Sequence, residues 1–274
     1  IVRELGAQPA RRGGAERRGV ALTRQQIVAD LKALGLRRGD CVVVHAAYKR
    51  IGCVDGGACS VIDALVEVIL PGGALLLPNL NIPHEFTAAN PPRVDVKKDP
   101  VRKMIGILPE LFKMEYATHF SLHPTHSMMG MGEKAGDLLR DHEKAGVPCG
   151  PGTPWEKNAR AGGRVLLIGV DQKCNTTYHS AEEELPDSYQ LSRAPIDGIV
   201  VVDGREVVVR SKLHVWTNHA DFNIINPELE ARGHARIGSV GMARALCLDA
   251  AGFLEVCREK LKCDGRYFLS AASR

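Results

Sequence analysis

The clearest strand signal in the chain is Val165-Leu166-Leu167-Ile168-Gly169-Val170, an apolar run without alternating polar residues. Such a run is typical of a central strand that is buried on both faces. Two earlier runs have the same character, Cys41-Val42-Val43-Val44-His45 and Ala74-Leu75-Leu76-Leu77-Pro78. The three runs therefore predict the buried strands of a sheet.

Helix patterns separate these strands. Thr23 is a suitable N-cap, and it precedes apolar residues at helical spacing that end at Gly35. A second helix follows the glycine turn at Gly56 and Gly57. Strands that alternate with helices predict an α/β fold, a layered sandwich with a central mixed sheet flanked by helices.

The last third of the chain has a different pattern. Residues 199–202 and 207–209 read as two strands joined through Asp203-Gly204, which predicts a β-hairpin. Residues 240–261 are predicted to be mostly helical. No internal repeat interrupts the order, so we expect one domain over residues 20–274.

Charge and hydropathy exclude several classes of protein. The net charge is +4, but residues 1–19 hold five Arg against two Glu, so the rest is nearly balanced. The composition of residues 1–19 predicts a disordered tail or a cloning remnant, and Ile1 suggests a trimmed chain. No apolar run reaches the roughly 18 residues of a membrane span, and no basic or aromatic stripe suits nucleic acid. We therefore expect a cytoplasmic protein, a monomer or homodimer, that binds neither membrane nor nucleic acid.

The cysteines predict neither a disulfide framework nor a zinc site. None of the eight forms a C-x-x-C pair, and several lie inside apolar runs. Such residues behave as small hydrophobic side chains, so we expect reduced thiols.

The main candidate for chemistry is the segment from Asn175 to Glu184, which follows the strongest strand. His179 and Glu182 are three residues apart, which places them on one face of a helix. A carboxylate beside a histidine orients the ring and favours its charged form, as a general base requires. The alternative is that both residues face solvent on an ordinary acidic helix.

A second candidate segment begins with His45 at the carboxyl end of a predicted strand, where ligands of open α/β sheets gather. It continues to a turn containing Gly56 and Gly57, whose following helix offers free amides to an anion such as a pyrophosphate. Glycines before a helix are common, so a purely structural turn is the alternative. The spacing matches neither the dinucleotide nor the P-loop pattern.

The third candidate is His123-Pro124-Thr125-His126-Ser127. Two histidines could bind a metal ion, but the proline excludes a regular helix and no third ligand is evident from the sequence. The alternative is a turn whose side chains satisfy local backbone groups. No metal is predicted.

Acidic residues in and beside the loops would suit a cationic substrate, because a desolvated ammonium group needs a charged partner. Most such residues are nevertheless merely solvated. The group comprises Asp95, Asp99, Glu182, Glu183, Glu184, Asp187 and Asp221.

Taken in chain order, the three candidate segments resemble motifs of the aminoglycoside 3-N-acetyltransferase family. This is the antibiotic N-acetyltransferase type, which differs from the GNAT fold. The likeness runs from about residue 20 to residue 260. Its specific parts are residues 123–127 and Asn175-Thr176-Thr177-Tyr178-His179-Ser180-Ala181-Glu182, and the likeness also includes residues 219–222 and 238–241.

The resemblance implies direct transfer of an acetyl group from acetyl-CoA to an amine, the 3-amino group of a polycationic aminoglycoside antibiotic, and hence resistance. His179 would be the general base and Glu182 would hold its ring. Thr177 and His126 would polarise the thioester or anchor the substrate. We expect CoA contacts from His45, Ala46, Ala47, Tyr48, Gly56, Gly57, Thr125 and Ser127. We expect substrate contacts from Glu183, Asp187, Asp221 and Asp95.

Other interpretations remain open. Family members usually have serines where this chain has Ala46 and Ala47, so hydroxyl contacts to CoA are lost there. The same fold could acylate a different amine metabolite. A hydrolase could use Cys174 or Ser180 with His179, although neither lies on a Gly-x-Ser-x-Gly elbow. A non-catalytic binding protein is also possible.

Overall fold

A computed structural model describes residues 21–80, 86–87, 89–215 and 220–269. The predicted tail, residues 1–19, lies outside the described residues. The strands are β1 Cys41–Ala46, β2 Ala74–Leu80, β3 Arg93–Asp95, β4 His119–Phe120, β5 His126–Met131, β6 Arg164–Ile168, β7 Ile196–Val202, β8 Arg205–Ser211, β9 Ala235–Val240 and β10 Ala243–Asp249.

The α-helices are α1 Arg24–Ala33, α2 Tyr48–Ile51, α3 Gly57–Ile69, α4 Ile107–Glu115, α5 Ala135–Leu139, α6 Pro154–Arg160, α7 His179–Glu182, α8 Asn226–Ala231 and α9 Ala250–Cys263. Short 3₁₀ helices span Lys103–Ile105, His142–Lys144, Gln172–Cys174, Thr176–Tyr178 and Phe222–Ile225. None of the helices in the described ranges is long and apolar enough to cross a bilayer.

A seven-stranded mixed sheet forms the centre of the fold, in the order β4-β5-β2-β1-β6-β10-β9. Strand β1 runs parallel to both β2 and β6, while β5 and β10 are antiparallel to their inner neighbours. A smaller sheet has the order β3-β7-β8 and contains the predicted hairpin, with Asp203 and Gly204 both at positive φ in its turn. The predicted fold class is confirmed.

Alternate strand residues enter different helix layers, because neighbouring side chains on a strand point to opposite faces. Val42 and Val44 of β1 pack in the cluster that contains α1, α3 and α4. Val43 packs on the other face with Trp155 of α6, and Leu167 of β6 faces α9. All of these side chains are buried, so helices cover both faces of the sheet.

The N-terminal helix shows how local sequence sets an element. The Thr23 hydroxyl accepts a hydrogen bond from the Gln26 amide, and the Gln26 side chain accepts one from the Thr23 amide. This capping box starts α1 as predicted, and the buried face of the helix carries Ile27 and Leu31. Gly35 follows at positive φ, where the helix has ended.

The helical prediction for residues 240–261 was wrong in its first half. Strands β9 and β10 form a second hairpin there, and α9 begins only at Ala250. Strand β10 lies between β6 and β9, so residues 245–248 are all buried and show no polar alternation. An Ala- and Leu-rich run favours a helix by propensity, but the sheet environment overrides it here.

Candidate active site

Two predicted segments emerge at the same edge of the sheet. His45 pairs with Leu167 and Ala46 pairs with Ile168 across the parallel strands β1 and β6. The segment after β1 and the segment after β6 therefore leave the sheet side by side. The carboxyl ends of parallel strands are where open α/β sheets bind ligands.

The segment after β6 is folded by its own side chains. The Asn175 Oδ1 atom accepts a hydrogen bond from the Thr177 amide at 3.1 Å, which starts the 3₁₀ turn before α7. The Asn175 side chain also donates to Gln172 Oε1 at 2.9 Å. Asn is suited to such turns because its short amide bonds the backbone two residues on. These bonds fix where α7 begins.

The pair predicted from spacing is in contact. His179 Nδ1 and Glu182 Oε2 are 2.8 Å apart, with 13% of the His179 side chain and none of the Glu182 side chain exposed. The Tyr178 hydroxyl adds a 3.4 Å contact to Glu182 Oε1. A carboxylate acceptor places the ring proton on Nδ1, which leaves Nε2 as the nitrogen that can accept a proton.

Aromatic rings form the walls around His179. The Tyr178 ring centroid lies 5.5 Å from that of His179, and Phe222 lies 5.9 Å away in an edge-on arrangement. Tyr178 itself packs on Phe222 and Phe268. Aromatic rings therefore confine the imidazole on these sides, and only a small part of its surface is exposed.

Glu183 is not the substrate-facing carboxylate that the sequence suggested. It is buried and accepts hydrogen bonds from the amides of Cys149 and Gly150 at 2.8 and 2.6 Å. His214 Nε2 lies 2.5 Å from its Oε1 atom. Burial raises the pKa of Glu183 to about 8. Its contacts anchor the turn before α6 to the segment that carries His179.

A group of buried imidazoles lies behind His179. The His214 ring centroid is 4.4 Å from those of both His179 and His126. Burial, followed by the neighbouring imidazoles, holds the pKa of His126 well below its ordinary value. Burial likewise lowers the pKa of His214. His126 therefore lies near the pair as a neutral ring, with His214 in contact with both.

Thr177, another expected site residue, is completely buried. Its Oγ1 atom has no hydrogen-bond partner among the described residues. A buried hydroxyl without a partner is costly, so such a group marks a position where a ligand can supply one.

The residues expected to contact CoA fall into three groups. His45, Ala46, Ala47 and Tyr48 lie at the end of β1 and the start of α2, at the edge described above. The His45 ring stacks on Trp155, and burial lowers its pKa to about 4.

The glycine turn lies just beyond this group. Gly56 precedes α3 at positive φ, and Gly57 is the first residue of that helix. The turn therefore presents the start of a 13-residue helix, as the sequence predicted.

Thr125 and Ser127 have other contacts. The Thr125 hydroxyl lies 2.9 Å from His126 Nδ1, and the Ser127 hydroxyl donates to the Ser121 carbonyl at 2.7 Å. His123 Nδ1 accepts hydrogen bonds from the amides of Thr125 and His126. These contacts match the structural alternative for residues 123–127, a turn whose side chains satisfy local backbone groups.

The expected carboxylates differ in position. Asp221 is exposed and directly precedes Phe222, whose ring contacts His179, so it lies beside the site. Asp187 is also exposed, five residues after Glu182. Asp95 belongs to the small sheet and accepts hydrogen bonds from the amides of residues 97 and 98.

A cavity of about 360 Å³ opens at the same edge, lined by Arg50, Gly169, Val170, Asp171, Met242, Ala243 and Arg244. The Arg50 guanidinium is held there by a 2.8 Å hydrogen bond to the Gly169 carbonyl. The cavity therefore offers cationic side chains next to the segment expected to contact CoA.

Three residues near His179 were missed by sequence reasoning, namely Cys149, His214 and Phe222. Each is distant in sequence from the motif, and no local pattern marks Cys149 or His214. The signal for Phe222 is the family resemblance of residues 219–222.

Comparison with known proteins identifies the family. The sequence matches the family model described as aminoglycoside 3-N-acetyltransferase over residues 43–262. The chain belongs to the aminoglycoside 3-N-acetyltransferase family. The resemblance inferred from the motifs is therefore confirmed, and with it the expected enzyme class.

Individual relatives of this family cover most of the chain. The prophage-derived aminoglycoside N(3')-acetyltransferase-like protein YokD of Bacillus subtilis is 31% identical, over 81% of this chain and 85% of the relative. Aminoglycoside N(3)-acetyltransferase VIII of Streptomyces fradiae is 30% identical, over 86% and 90%. The structure of AAC-IIIb as a binary complex with CoASH superposes with a TM-score of 0.73 at 28% identity, over 88% of this chain and 96% of that one.

Proposed function

We propose that this enzyme transfers an acetyl group from acetyl-CoA directly to the 3-amino group of an aminoglycoside, with His179 as the general base. The observation that carries the proposal is the 2.8 Å contact between His179 Nδ1 and a fully buried Glu182, in a family of N-acetyltransferases.

The amine chemistry explains why a base is needed. The acceptor amine arrives mostly as an ammonium ion, which has no lone pair for attack. His179 Nε2 takes the proton, and the Glu182 carboxylate stabilises the imidazolium that forms. The amine nitrogen then bonds to the thioester carbonyl carbon, the carbon–sulfur bond breaks, and the nitrogen gives up a second proton as the amide forms. One of the two protons goes to the departing sulfur, so that CoA leaves as the thiol, and the other is released to solvent. Acetyl transfer is balanced without another reactant.

Thr177 is proposed to polarise the carbonyl group of the thioester. Its hydroxyl is buried and lacks a hydrogen-bond partner among the described residues, so it can donate to the thioester oxygen as negative charge develops there. His126 is an equal candidate from the sequence. Its ring lies behind His214, and we assign it no step in the transfer.

One observation supports acetyl-CoA as the donor. AAC-IIIb, a relative with the same fold, was solved with CoASH. We propose that a phosphate of the donor contacts the first turn of α3, which begins at Gly57, and the Arg50 side chain, which lines the cavity of about 360 Å³.

The acceptor is proposed to be a polycation. The S. fradiae relative is named an aminoglycoside N(3)-acetyltransferase. The exposed carboxylates of Asp187 and Asp221 could pair with its ammonium groups. We do not assign Asp95 to this surface, because it is half-buried in the small sheet, whereas Asp187 and Asp221 are exposed. The cytoplasmic location and the monomer or homodimer expected from the sequence stay predictions.

The test is acetyl-CoA turnover with a panel of amines, monitored by release of the CoA thiol. Aminoglycosides with a 3-amino group should be acetylated, and NMR of the product should place the acetyl group on that nitrogen. Simple metabolite amines should react poorly. Turnover only with simple amines would favour an acyltransferase for a different amine.

The same assay separates a transferase from a hydrolase and from a binding protein. Thiol release without an amine would indicate a hydrolase, and no release with any amine would indicate a binding protein. A serine hydrolase is disfavoured, because the buried Ser180 hydroxyl donates to the Cys149 carbonyl at 2.6 Å.

A further inference from the structure

A second cluster of chemically reactive side chains lies behind His179 and has no step in the proposed transfer. It consists of His126 at the start of β5, Cys149 in the turn before α6, and His214 just after β8. One ligand atom from each residue lies within 4.8 Å of the other two. We propose that these three residues bind a zinc ion.

The donor set fits this metal. Zinc is bound in proteins by imidazole nitrogen and thiolate sulfur, at about 2.0–2.1 and 2.3 Å respectively. Tetrahedral coordination at those lengths requires ligand atoms about 3.3–3.6 Å apart. The side chains must therefore approach by about 1.5 Å or less, which a change of side-chain torsion can supply. The two imidazoles and the sulfur would fill three positions, and a water molecule would take the fourth.

The opposite nitrogen of each imidazole is already oriented. His126 Nδ1 lies 2.9 Å from the Thr125 hydroxyl, and His214 Nε2 lies 2.5 Å from Glu183 Oε1. With those nitrogens engaged, His126 Nε2 and His214 Nδ1 are the atoms that would face a metal. Zinc-bound histidines usually donate their far ring N–H to a carboxylate, a backbone carbonyl or water, and Glu183 gives His214 the first of these arrangements.

Glu183 also compensates the charge of the ion. Zinc with one thiolate carries a single positive charge, and the Glu183 side chain lies one hydrogen bond away from it, on the far side of the His214 ring. Glu183 is in turn fixed by the amides of Cys149 and Gly150. The surroundings of the cluster are buried, so this compensation matters more than it would at the surface.

The position of the cluster indicates how a bound ion would affect stability. Its ligands come from β5 of the large sheet, from the turn before α6 and from the chain that leaves the β7–β8 hairpin. A bound ion would tie these three segments together behind His179, whose ring contacts that of His214. Zinc should therefore stabilise the fold around the active site.

The test is metal content and spectroscopy of the intact protein, produced in medium with added zinc or cobalt. We expect about one zinc per chain, a thiolate-to-cobalt charge-transfer band, and a fall in Tm of about 5 °C or more on chelation. Cys149→Ser should retain less than about a tenth of the metal. Cys247→Ser, at another buried cysteine, should keep all of it.

Two results would overturn the proposal. One is a wild-type protein that takes up neither zinc nor cobalt; the other is metal that Cys149→Ser retains fully and that gives no charge-transfer band, which would mean adventitious binding. If Cys149→Ser does not fold, the cobalt spectrum of the wild type decides alone. His179→Ala should slow transfer by about 10²–10⁴-fold and keep the zinc, so failure here and failure of the proposed function are separable.

Discussion

Replacing Glu182 with Gln should slow acetyl transfer by about 10–100-fold. The amide can still accept the hydrogen bond from His179 Nδ1, so the ring keeps its orientation, but the charge that stabilises the imidazolium is lost. A hydrogen bond to a charged partner is worth about 1.5–3 kcal/mol, and about 1.4 kcal/mol corresponds to a factor of ten. The 2.8 Å contact and the complete burial of Glu182 place the effect within that range.

The assay is kcat from thiol release at saturating acetyl-CoA and aminoglycoside, with a thermal melt to confirm folding. Glu184→Gln is the matched control, because Glu184 is on the same segment but pairs with Arg258 instead. It should leave kcat unchanged. A Glu182→Gln enzyme with normal turnover would remove the carboxylate from the mechanism.

A double-mutant cycle sharpens this test. His179→Ala alone should cost about 10²–10⁴-fold, the usual contribution of a general base. In that background Glu182→Gln should have almost no further effect, because the carboxylate acts through the ring. An equal loss in both backgrounds would refute the proposed pairing and give Glu182 a separate role.

Three further predictions concern stability, the possible hydrolase activity and substrate binding. Because burial lowers the pKa of His45 to about 4, the folded state resists its protonation, and stability should fall as the pH drops from about 6.5 to about 4, by on the order of 3 kcal/mol. Urea midpoints at pH 7 and pH 4.5 should show this loss, and His45→Asn should show less of it. Ser180→Ala should lower the unfolding free energy by about 1 kcal/mol with little change in kcat, because it removes one buried hydrogen bond. Cys174→Ala should keep full turnover. A large loss of kcat in either variant would support a hydrolase that uses that residue as its nucleophile. Asp221→Asn should raise the aminoglycoside KM by about 3–10-fold at constant kcat, whereas Asp95→Asn should not; equal effects would place the substrate elsewhere.

The parts of the fold that could be predicted are those with a strong local pattern. Unbroken apolar runs indicated β1, β2 and β6, and the Asp203-Gly204 pair indicated the β7–β8 hairpin. Strand β10 could not be predicted in this way, because its burial on both faces depends on β6 and β9 as neighbours. The residues of one strand do not show which other strands it pairs with.

The same division holds for the site. The contact between His179 and Glu182 follows from helical spacing, so it was accessible to sequence reasoning. The approach of Cys149 and His214 is a consequence of tertiary packing between segments far apart in the chain. This is also why the sequence around His126 did not reveal the other two residues of that cluster.

The run from Glu182 to Glu184 shows how a charge cluster can be misread. Successive residues of a helical segment point about 100° apart, so three adjacent acids cannot share one surface. Glu182 contacts His179, Glu183 contacts His214 and two backbone amides, and Glu184 forms an ion pair with Arg258. An ordinary solvated acidic face would leave all three exposed, but the first two are buried. Two buried carboxylates with separate imidazole partners therefore imply two separate roles, and that division is what allows proton transfer at His179 and metal binding at His214 to be tested independently.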